Sequence, residues 1–438
     1  MRRLEVYVNE QRVGQLSESQ DVWAFEYDLT WTQAPDAFDL SPWLVRSQRL
    51  HVDGASSRPV QWYFDNLLPE ETQRVLVCGE AGITGDDAFA LLEYLGAESA
   101  GSLVLRPSEG PTLPQGVRLP LDFTELSQRI RRLPKASLSF DAPKRMSAAG
   151  AQNKLLVVYR DGQLYEPQGM EPSTHILKPE HGSEDYPASV INEFAMMRLA
   201  RQVGLNVPDV LRLYVPEPVY LVERFDRRMG KNGQLRRTHI IDACQLLNKP
   251  RAYKYAAASL EALAQCVEQC HNKASARLQL FQWLLFNVLI GNDDIHLKNL
   301  SFAVSSLGID LCRAYDILST ASYHTRAFAD ERAIWPHVPL MIPLPQVTTF
   351  AQVNRQSLLN AASAIGIGQR IAEREMDAMA RKLPLALDAL IDIIEQENLS
   401  IPHARGMRQA GDVRLLRTIR HIVVKEMLGQ IAPKTAPR

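Results

Sequence analysis

Residues 291–299 have the sequence GNDDIHLKN and follow the most apolar part of the chain. The segment from Arg277 to Ile290 is apolar nearly all round, which predicts a buried helix that stops at Gly291. In the loop that follows, Asp294 and Asn299 are separated by four residues. A short loop anchored by a buried helix would present this carboxylate and this amide to the same ligand, although the spacing alone also fits a polar loop that merely ends a helix.

Two further residues extend this pattern. Asp316, in RAYDILS, stands seventeen residues after Asn299, and a carboxylate together with an amide oxygen can hold magnesium. Lys178 ends the short apolar strand THILK, from which its amine can reach phosphate groups. Asp316 could equally cap a helix or a turn. Glu193 is a candidate partner of Lys178, although we favour the interpretation that it lies on a solvated helix face.

Two segments nearer the N-terminus are candidates for contacts with a nucleotide. SAAGAQNK, residues 147–154, combines small residues that let the backbone approach phosphate closely, although a plain turn has the same composition. VERFDRR, residues 222–228, follows an apolar strand and stands where an inter-lobe hinge belongs; its alternative is an exposed charge cluster on a loop. The order of loop, lysine, hinge, D-x-x-x-x-N and late aspartate is the set of parts that phosphoryl transfer needs.

Length, composition, net charge and cysteine content limit the classes of protein to which the chain can belong. At 438 residues the chain predicts two or three domains, and 46% hydrophobic with 23% charged residues is ordinary for a globular protein. The net charge of −1 gives no general attraction to a polyanion. No apolar stretch of membrane-spanning length and no signal peptide stand out, so we expect a cytoplasmic protein with no membrane contact. Five scattered cysteines argue against a disulfide framework, and Cys266, Cys270 and His271 are interpreted as structural rather than as zinc ligands.

The pattern along the chain predicts a β-containing N-terminal part and an α-helical C-terminal part. Alternation from Trp23 to Trp31 predicts one strand, and the chain is predicted helical from about Thr238 onward. Pro384 is expected to divide two helices. The last helix, near residues 413–427, carries a basic face that is either simply solvated or a contact for DNA phosphates or an acidic partner. That face contains Arg414, Arg417 and His421, and the opposite face contains Leu415, Ile419 and Val423.

Taken in order, SAAGAQNK, THILKP, VERFDRR, GNDDIHLKN and AYDILS resemble the HipA family of toxin serine/threonine kinases, which belong to type II toxin–antitoxin pairs. FDNLLPEE (64–71) and LLEYLGAESAGSL (91–103) also resemble the N-terminal region of that family, whereas residues 327–345 do not extend the similarity. The resemblance implies an α+β, bilobal, protein-kinase-like (HipA-like) fold with a β-containing N-lobe and an all-α C-lobe. The implied division is a small β-rich subdomain at 1–106, the rest of the N-lobe at 107–230, and the helical C-lobe at 231–438.

The resemblance also implies site residues. Asp294 would be the catalytic base, Asn299 and Asp316 would hold Mg²⁺, and Ser147 falls where the family carries its autophosphorylated serine. ATP would be contacted by three groups of residues. They are the phosphate loop Ala149, Gly150, Ala151, Gln152, Asn153 and Lys154; Lys178 and the hinge Glu223, Arg224 and Phe225; and His296, Leu297, Lys298, Asn299, Tyr315 and Asp316.

Partners follow from the same resemblance. We expect a small DNA-binding, HipB-like antitoxin, operator DNA reached indirectly through the antitoxin complex, and a protein substrate such as an aminoacyl-tRNA synthetase. Two alternatives stay open: a small-molecule or lipid kinase on the same scaffold, and a catalytically silent regulator that keeps ATP. The presence of Asp294, Asn299, Asp316 and Lys178 counts against the silent regulator.

Overall fold

The computed structural model describes residues 1–108, 114–142, 144–146, 149–230, 233–401 and 406–432. The chain divides into two compact units. Unit 1 consists of Met1–Gly182, Leu213–Lys254 and Leu300–Cys312, and unit 2 consists of Ser183–Arg212, Tyr255–Asn299 and Arg313–Arg438. Because both units are built from separate segments, the continuous three-part division expected from the sequence stays a prediction.

Eighteen β-strands lie in the parts of the chain that the structure describes. They are β1 Arg2–Val8, β2 Gln11–Ser19, β3 Val22–Tyr27, β4 Leu50–Val52, β5 Leu103–Pro107, β6 Val117–Pro120, β7 Leu155–Arg160, β8 Gln163–Gln168, β9 His175–Pro179, β10 Val210–Tyr214, β11 Pro218–Glu223, β12 Arg227–Met229, β13 Leu235–Arg237, β14 Ile240–Asp242, β15 Ser301–Ser305, β16 Gly308–Leu311, β17 Pro339–Leu344 and β18 Val347–Thr349.

Fourteen α-helices accompany them within the same ranges. They are α1 Leu29–Gln33, α2 Pro59–Asp65, α3 Glu71–Ala81, α4 Ala88–Leu95, α5 Phe123–Arg131, α6 Ser189–Val203, α7 Ala243–Leu246, α8 Leu260–Gln269, α9 Lys273–Ile290, α10 Arg326–Ala329, α11 Arg355–Ala364, α12 Gln369–Leu399, α13 Gly406–Thr418 and α14 Lys425–Ile431. None of these helices has the length and apolar character needed to cross a membrane.

The first sheet of unit 1 has the order β4-β3-β2-β1-β5, with antiparallel neighbours. Its inner face is aromatic because Trp23, Phe25 and Tyr27 alternate on β3 and are all buried. The predicted strand from Trp23 to Trp31 is wrong beyond Tyr27. Asp28 accepts the Thr30 N–H at 2.8 Å and thereby caps α1, so that a local polar bond ends the strand.

The second sheet of unit 1 has the order β10-β11-β9-β7-β8-β6. Leu155 of β7 pairs with Leu177 of β9, and Tyr220 of β11 pairs with Lys178 of β9. The apolar side chains of these strands form a buried core with α5. A third sheet, β14-β15-β16, shows that the prediction of helices throughout from Thr238 is wrong, because Ser301–Ser305 pairs with Ile240–Asp242.

The described residues of unit 2 are mainly helical, and they also include the hairpin β17–β18 and the first residues of β10. The prediction that Pro384 divides two helices is wrong, since α12 runs for 31 residues with Pro384 inside it. The helix continues because Met379, Leu383, Leu387 and Leu390 keep one buried face across the proline, which outweighs its missing hydrogen bond.

The C-terminal helix confirms the predicted apolar face. Leu415, Ile419 and Val423 are fully buried, and residues Ile419–Val424 form a π-helical turn between α13 and α14. On the opposite face, Arg414 donates to the Ala327 carbonyl and Arg417 donates to Glu395 at 2.7 Å. These bonds within unit 2 agree with a solvated cationic face, and a contact to DNA stays a prediction.

Candidate active site

The loop GNDDIHLKN leaves α9 in a direction that only glycine permits. Gly291 caps the helix with φ +67°, in the left-handed region. A Cβ at this position would lie 2.7 Å from Val423 Cγ1 and 3.2 Å from Ala321 Cβ. The left-handed backbone and the close packing both exclude a larger residue, so the start of the loop has a defined position in unit 2.

A chain of amide and hydroxyl groups fixes the next residues. Asn292 donates through Nδ2 to Asn287 Oδ1 at 2.7 Å, and its own Oδ1 accepts the Asp294 N–H at 3.1 Å. Thr320 Oγ1 accepts the Asp293 N–H at 2.8 Å. The sequence contained one signal for this network, since Asn287 interrupts an otherwise apolar helix; the roles of Asn292 and Thr320 were missed.

The two consecutive aspartates have different surroundings. Asp294 is exposed, and its Oδ1 accepts a hydrogen bond from the Tyr255 hydroxyl at 3.0 Å. Asp293 is more buried, and burial raises its pKa against the opposing effects of its bond with Thr320 and of His324, whose Nε2 lies 3.7 Å from Asp293 Oδ2. Of the two carboxylates, Asp294 is therefore the one that an incoming hydroxyl group can reach.

Asn299, at the end of the loop, is bonded to Asp316, and the two side chains carry oxygen atoms that could bind a cation. The Asn299 N–H donates to the His296 carbonyl at 2.9 Å, and Asn299 Nδ2 donates to Asp316 Oδ2 at 3.0 Å. Asn299 is 3% exposed, and its Oδ1 has no hydrogen-bond partner among the residues that the structure describes. Leaving such an oxygen unsatisfied is costly, and a hard cation would satisfy it. The amide and carboxylate oxygens at this position thus fit Mg²⁺.

Backbone conformation and one bond to a backbone carbonyl fix the position of Asp316 and of its neighbour Tyr315. Asp316 has φ +59°, an uncommon conformation for a residue with a side chain and one that costs energy unless its surroundings impose it. The Tyr315 hydroxyl donates to the Lys298 carbonyl at 2.7 Å, which joins the segment before Asp316 to the loop GNDDIHLKN. Leu297 and Lys298 are both buried, so a nucleotide contact from Leu297 would involve a core residue.

The predicted phosphate loop lies in unit 1. Gly150 has φ +108°, and its carbonyl accepts the Glu70 N–H at 3.2 Å. Lys154 Nζ donates to the Ala149 carbonyl, so the lysine folds back over the loop. Asn153 accepts a bond from Gln73 of α3. Ala151 and Gln152 are half-buried, and Ser147 lies outside the described residues.

Strand pairing brings Lys178 close to this loop. Leu177 pairs with Leu155, the residue that follows Lys154, and Lys178 is the next residue of β9. The lysine is 7% exposed, and its Nζ lies 5.8 Å from the centre of the Tyr220 ring. Glu193 lies on α6 of unit 2 and is 2% exposed, so the interpretation that placed it on a solvated helix face is wrong. A pairing of Glu193 with Lys178 stays a prediction.

The predicted hinge segment, VERFDRR, begins in the last residues of β11, the strand that pairs with β9. Glu223 pairs with His175, and the Arg224 N–H donates to the Thr174 carbonyl at 2.9 Å. The alternative of an exposed charge cluster is wrong, because Arg224, Asp226 and Arg227 are buried. Any adenine contact here would therefore use backbone groups other than the Arg224 N–H.

Glu98, on the loop after α4, is the centre of a buried ionic cluster that sequence reasoning missed. Two of the cations belong to VERFDRR, and one precedes the phosphate loop. The cations that face Glu98 are Lys144, Arg224, Arg227 and Arg237. Glu98 also accepts from the Ser173 hydroxyl at 2.7 Å. Burial alone would raise the pKa of Glu98, but these four cations outweigh burial and hold its pKa well below the usual value.

The structure therefore gathers the candidate residues in two groups. In unit 2, Asp294, His296 to Asn299, Tyr315 and Asp316 belong to one bonded loop pair. In unit 1, the phosphate loop, Lys178 and the hinge lie on neighbouring strands of one sheet. The role of each residue toward ATP or metal stays a prediction.

Comparisons with known proteins extend over nearly the whole chain. Residues 146–387 match the model of the HipA-like C-terminal domain, and residues 4–106 match the model of the HipA N-terminal domain. The chain is 33% identical over 341 residues to the "Serine/threonine-protein kinase toxin HipA" of Shewanella oneidensis, covering 73% of this chain and 76% of that protein. It is 31% identical over 415 residues to the "Putative kinase Y4mE" of Sinorhizobium fredii, covering 90% of this chain and 94% of that protein.

A solved structure shares the fold. It is described as the Shewanella oneidensis MR-1 toxin–antitoxin system HipA, HipB and its operator DNA complex. The similarity has a TM-score of 0.76 at 27% identity and covers 97% of this chain and 99% of the matched chain. The predicted α+β, protein-kinase-like fold of the HipA type is thereby confirmed.

Proposed function

The chain belongs to the HipA family of serine/threonine kinase toxins, and from this premise we propose that it transfers the γ-phosphoryl group of ATP to a serine or threonine of a translation component. An aminoacyl-tRNA synthetase is the substrate class that the family resemblance favours. Family membership makes the chain a kinase. The acceptor and the assignment of each site residue are our proposal.

One observation carries the site assignment. The loop that exposes Asp294 also buries Asn299 Oδ1 without a hydrogen-bond partner in the described structure, and the Asn299 amide donates to Asp316 at 3.0 Å. A proton acceptor and two oxygen ligands thus occur on one bonded loop pair. This is the arrangement that phosphoryl transfer requires, since its catalysis consists mainly of positioning and of neutralising charge.

Each residue then has a defined task. Asp294 accepts the proton of the substrate hydroxyl, whose oxygen forms a bond to the γ-phosphorus while the bond from that phosphorus to the β,γ-bridging oxygen breaks and ADP leaves. Asn299 and Asp316 would hold Mg²⁺, which when bound neutralises phosphate charge. Lys178 and the backbone of Ala149 to Lys154 bind phosphates, and the backbone near Glu223 and Phe225 contacts the adenine.

We also propose an antitoxin partner. The solved relative is a complex of HipA with HipB and operator DNA. By this similarity the chain would bind a small DNA-binding, HipB-like antitoxin and would reach operator DNA through it. The net charge of −1 agrees with indirect DNA contact, since the chain as a whole has no attraction for a polyanion. The proposed partners and substrate place its action in the cytoplasm.

Ser147 is proposed as a site of autophosphorylation. It lies outside the described residues, and only the family resemblance supports the assignment. A phosphate there would add roughly −1.5 to −2 charges beside a loop whose N–H groups are needed by ATP, so the modified kinase would lose affinity for ATP. Phosphopeptide mapping after incubation with MgATP tests this. An unmodified Ser147 in an active enzyme, or unchanged ATP affinity after modification, would contradict it.

A label-transfer assay tests the proposed function. The protein is incubated with γ-labelled ATP, magnesium and total bacterial lysate, in parallel with Asp294→Asn. We expect labelled protein bands that are absent with the variant. Label that appears in a small molecule would favour the alternative kinase class, and no transfer to any acceptor would favour a silent ATP-binding regulator.

A further inference from the structure

Tyr255 lies outside every motif that the sequence singles out. It begins a segment of unit 2 and precedes α8, and its carbonyl accepts the Ala258 N–H at 2.9 Å in a turn. Ser259 caps α8 by accepting the Ala262 N–H, and the buried face of α8 packs against α9, the helix that carries the catalytic loop. The backbone at Tyr255 is therefore joined by short, ordered structure to the same scaffold as Asp294.

The Tyr255 side chain contacts the catalytic loop at two places. Its hydroxyl donates to Asp294 Oδ1 at 3.0 Å. Its ring meets the His296 ring edge-on, with centroids 4.9 Å apart and an interplanar angle of 77°. One side chain thus holds both the proposed base and a residue two positions later.

The contacts of Tyr255 restrict the motion of the Asp294 side chain, which is exposed. An exposed aspartate populates several rotamers, and ordering it costs conformational entropy. The Asp294 N–H bond to Asn292 orders the backbone of this residue. The phenol orders the carboxylate itself.

We infer that Tyr255 is a positioning residue for phosphoryl transfer, which acts by orienting the Asp294 carboxylate and the His296 ring. The inference rests on the proposed role of Asp294 as base. A misplaced base lowers the rate of the chemical step and leaves nucleotide binding unchanged, since Tyr255 acts through Asp294 rather than on ATP.

Two substitutions separate the two contacts. Tyr255→Phe keeps the ring against His296 and removes the hydroxyl, whereas Tyr255→Leu removes both. Initial rates of label transfer from γ-labelled MgATP to lysate protein give kcat and the KM for ATP. We expect Tyr255→Phe to lower kcat about tenfold, which corresponds to one hydrogen bond to a charged group, with KM unchanged. Tyr255→Leu should lower kcat further.

The control is Tyr253→Phe, the same chemical change at a tyrosine that is 54% exposed and two residues earlier. It should behave as wild type. Because a structural role for Tyr255 would lower the unfolding midpoint or raise KM together with any change in kcat, both quantities are measured for every variant. A loss that appears only in kcat identifies positioning.

A double-mutant cycle distinguishes failure of this inference from failure of the proposed function. If Tyr255 acts through Asp294, Tyr255→Phe added to Asp294→Asn has no further effect on kcat. Asp294→Asn with near wild-type turnover would overturn the proposed function of the site. An inactive Asp294→Asn together with an unchanged or faster Tyr255→Phe, or with additive losses, would overturn the role of Tyr255 alone.

Discussion

Glu98→Gln is the substitution that should reveal how the part of unit 1 proposed to bind ATP is stabilised. Glu98 is fully buried, and Lys144 Nζ and Arg227 Nη2 each lie 2.8 Å from its carboxylate. Lys144 is also two residues before Met146, which bridges to Gly96 at the entry to the phosphate loop. The change keeps the shape of the side chain and removes its charge.

The structure gives the size of the expected effect. Among the described residues, Glu98 pairs with Lys144, Arg224, Arg227 and Arg237, and Asp226 pairs with Arg224 and Arg227. The substitution therefore removes the carboxylate that all four cations share. Removing one partner of a buried pair costs about 3–5 kcal/mol. Glutamine can still accept from the Ser173 N–H and hydroxyl, so we expect a loss near the lower end, about 3 kcal/mol. A looser Lys144 should also raise the KM for ATP.

The dependence on pH gives an independent check. Because the folded pKa of Glu98 is depressed, its contribution to stability is present above the unfolded pKa and is lost as pH falls through the folded pKa. Urea unfolding should therefore show a constant difference between wild type and Glu98→Gln from about pH 5 to 8. The difference should shrink below about pH 4.5, where the unfolded glutamate becomes protonated.

Glu268→Gln is the matched control, since Glu268 is exposed and pairs with Lys273 and Arg277 at the surface. It should leave the urea midpoint unchanged. A cost of less than about 1 kcal/mol for Glu98→Gln, far below the value for a broken buried pair, would show that the buried ionic cluster does not stabilise unit 1. The same conclusion follows if the difference between the two proteins does not decrease as the pH is lowered.

Three further substitutions test the loop GNDDIHLKN and the aspartate bonded to it. Gly291→Ala should lower the free energy of unfolding by about 1–3 kcal/mol and slow phosphate transfer, because it places a methyl group on a left-handed residue, 2.7 Å from the buried Val423. Thermal unfolding measures the effect, and Gly429→Ala is the control, since an added Cβ there meets nothing within 4 Å. Asn299→Ala and Asp316→Ala should remove the gain in nucleotide affinity that magnesium gives and leave the affinity in chelator unchanged; an equal loss in chelator would disprove the metal role.

The sequence predicted the parts of the site that depend on local pattern. The apolar segment before Gly291 predicted a buried helix, and the structure has one that ends at Ile290. The strands that carry Lys178 and lead into Glu223 were also predicted. These features depend on alternation and on a single glycine, both of which can be recognised in a short window.

The features that the sequence did not predict depend on contacts between residues that are far apart in the chain, or on local contacts that override a pattern. Trp31 continues an alternating pattern yet lies in α1, because the Asp28 cap competes with the strand. Pro384 predicted a break that the packing of α12 overrides. Glu98 stands within the segment LLEYLGAESAGSL, but the cations that bind it are 46 to 139 positions away in the sequence. Tyr255 was missed for the same reason, being 39 residues from Asp294. No local pattern contains such pairs.

The most direct test of the account is the rate of phosphoryl transfer by Asp294→Asn, measured with γ-labelled MgATP beside nucleotide affinity and the unfolding midpoint. We expect a loss of about 10²- to 10⁴-fold in turnover, the usual contribution of a general base, with nucleotide affinity and unfolding midpoint as in wild type. Asp310→Asn, at an exposed position on β16, should change none of the three quantities. Turnover of Asp294→Asn within a few-fold of wild type would contradict the assignment of Asp294 as the base.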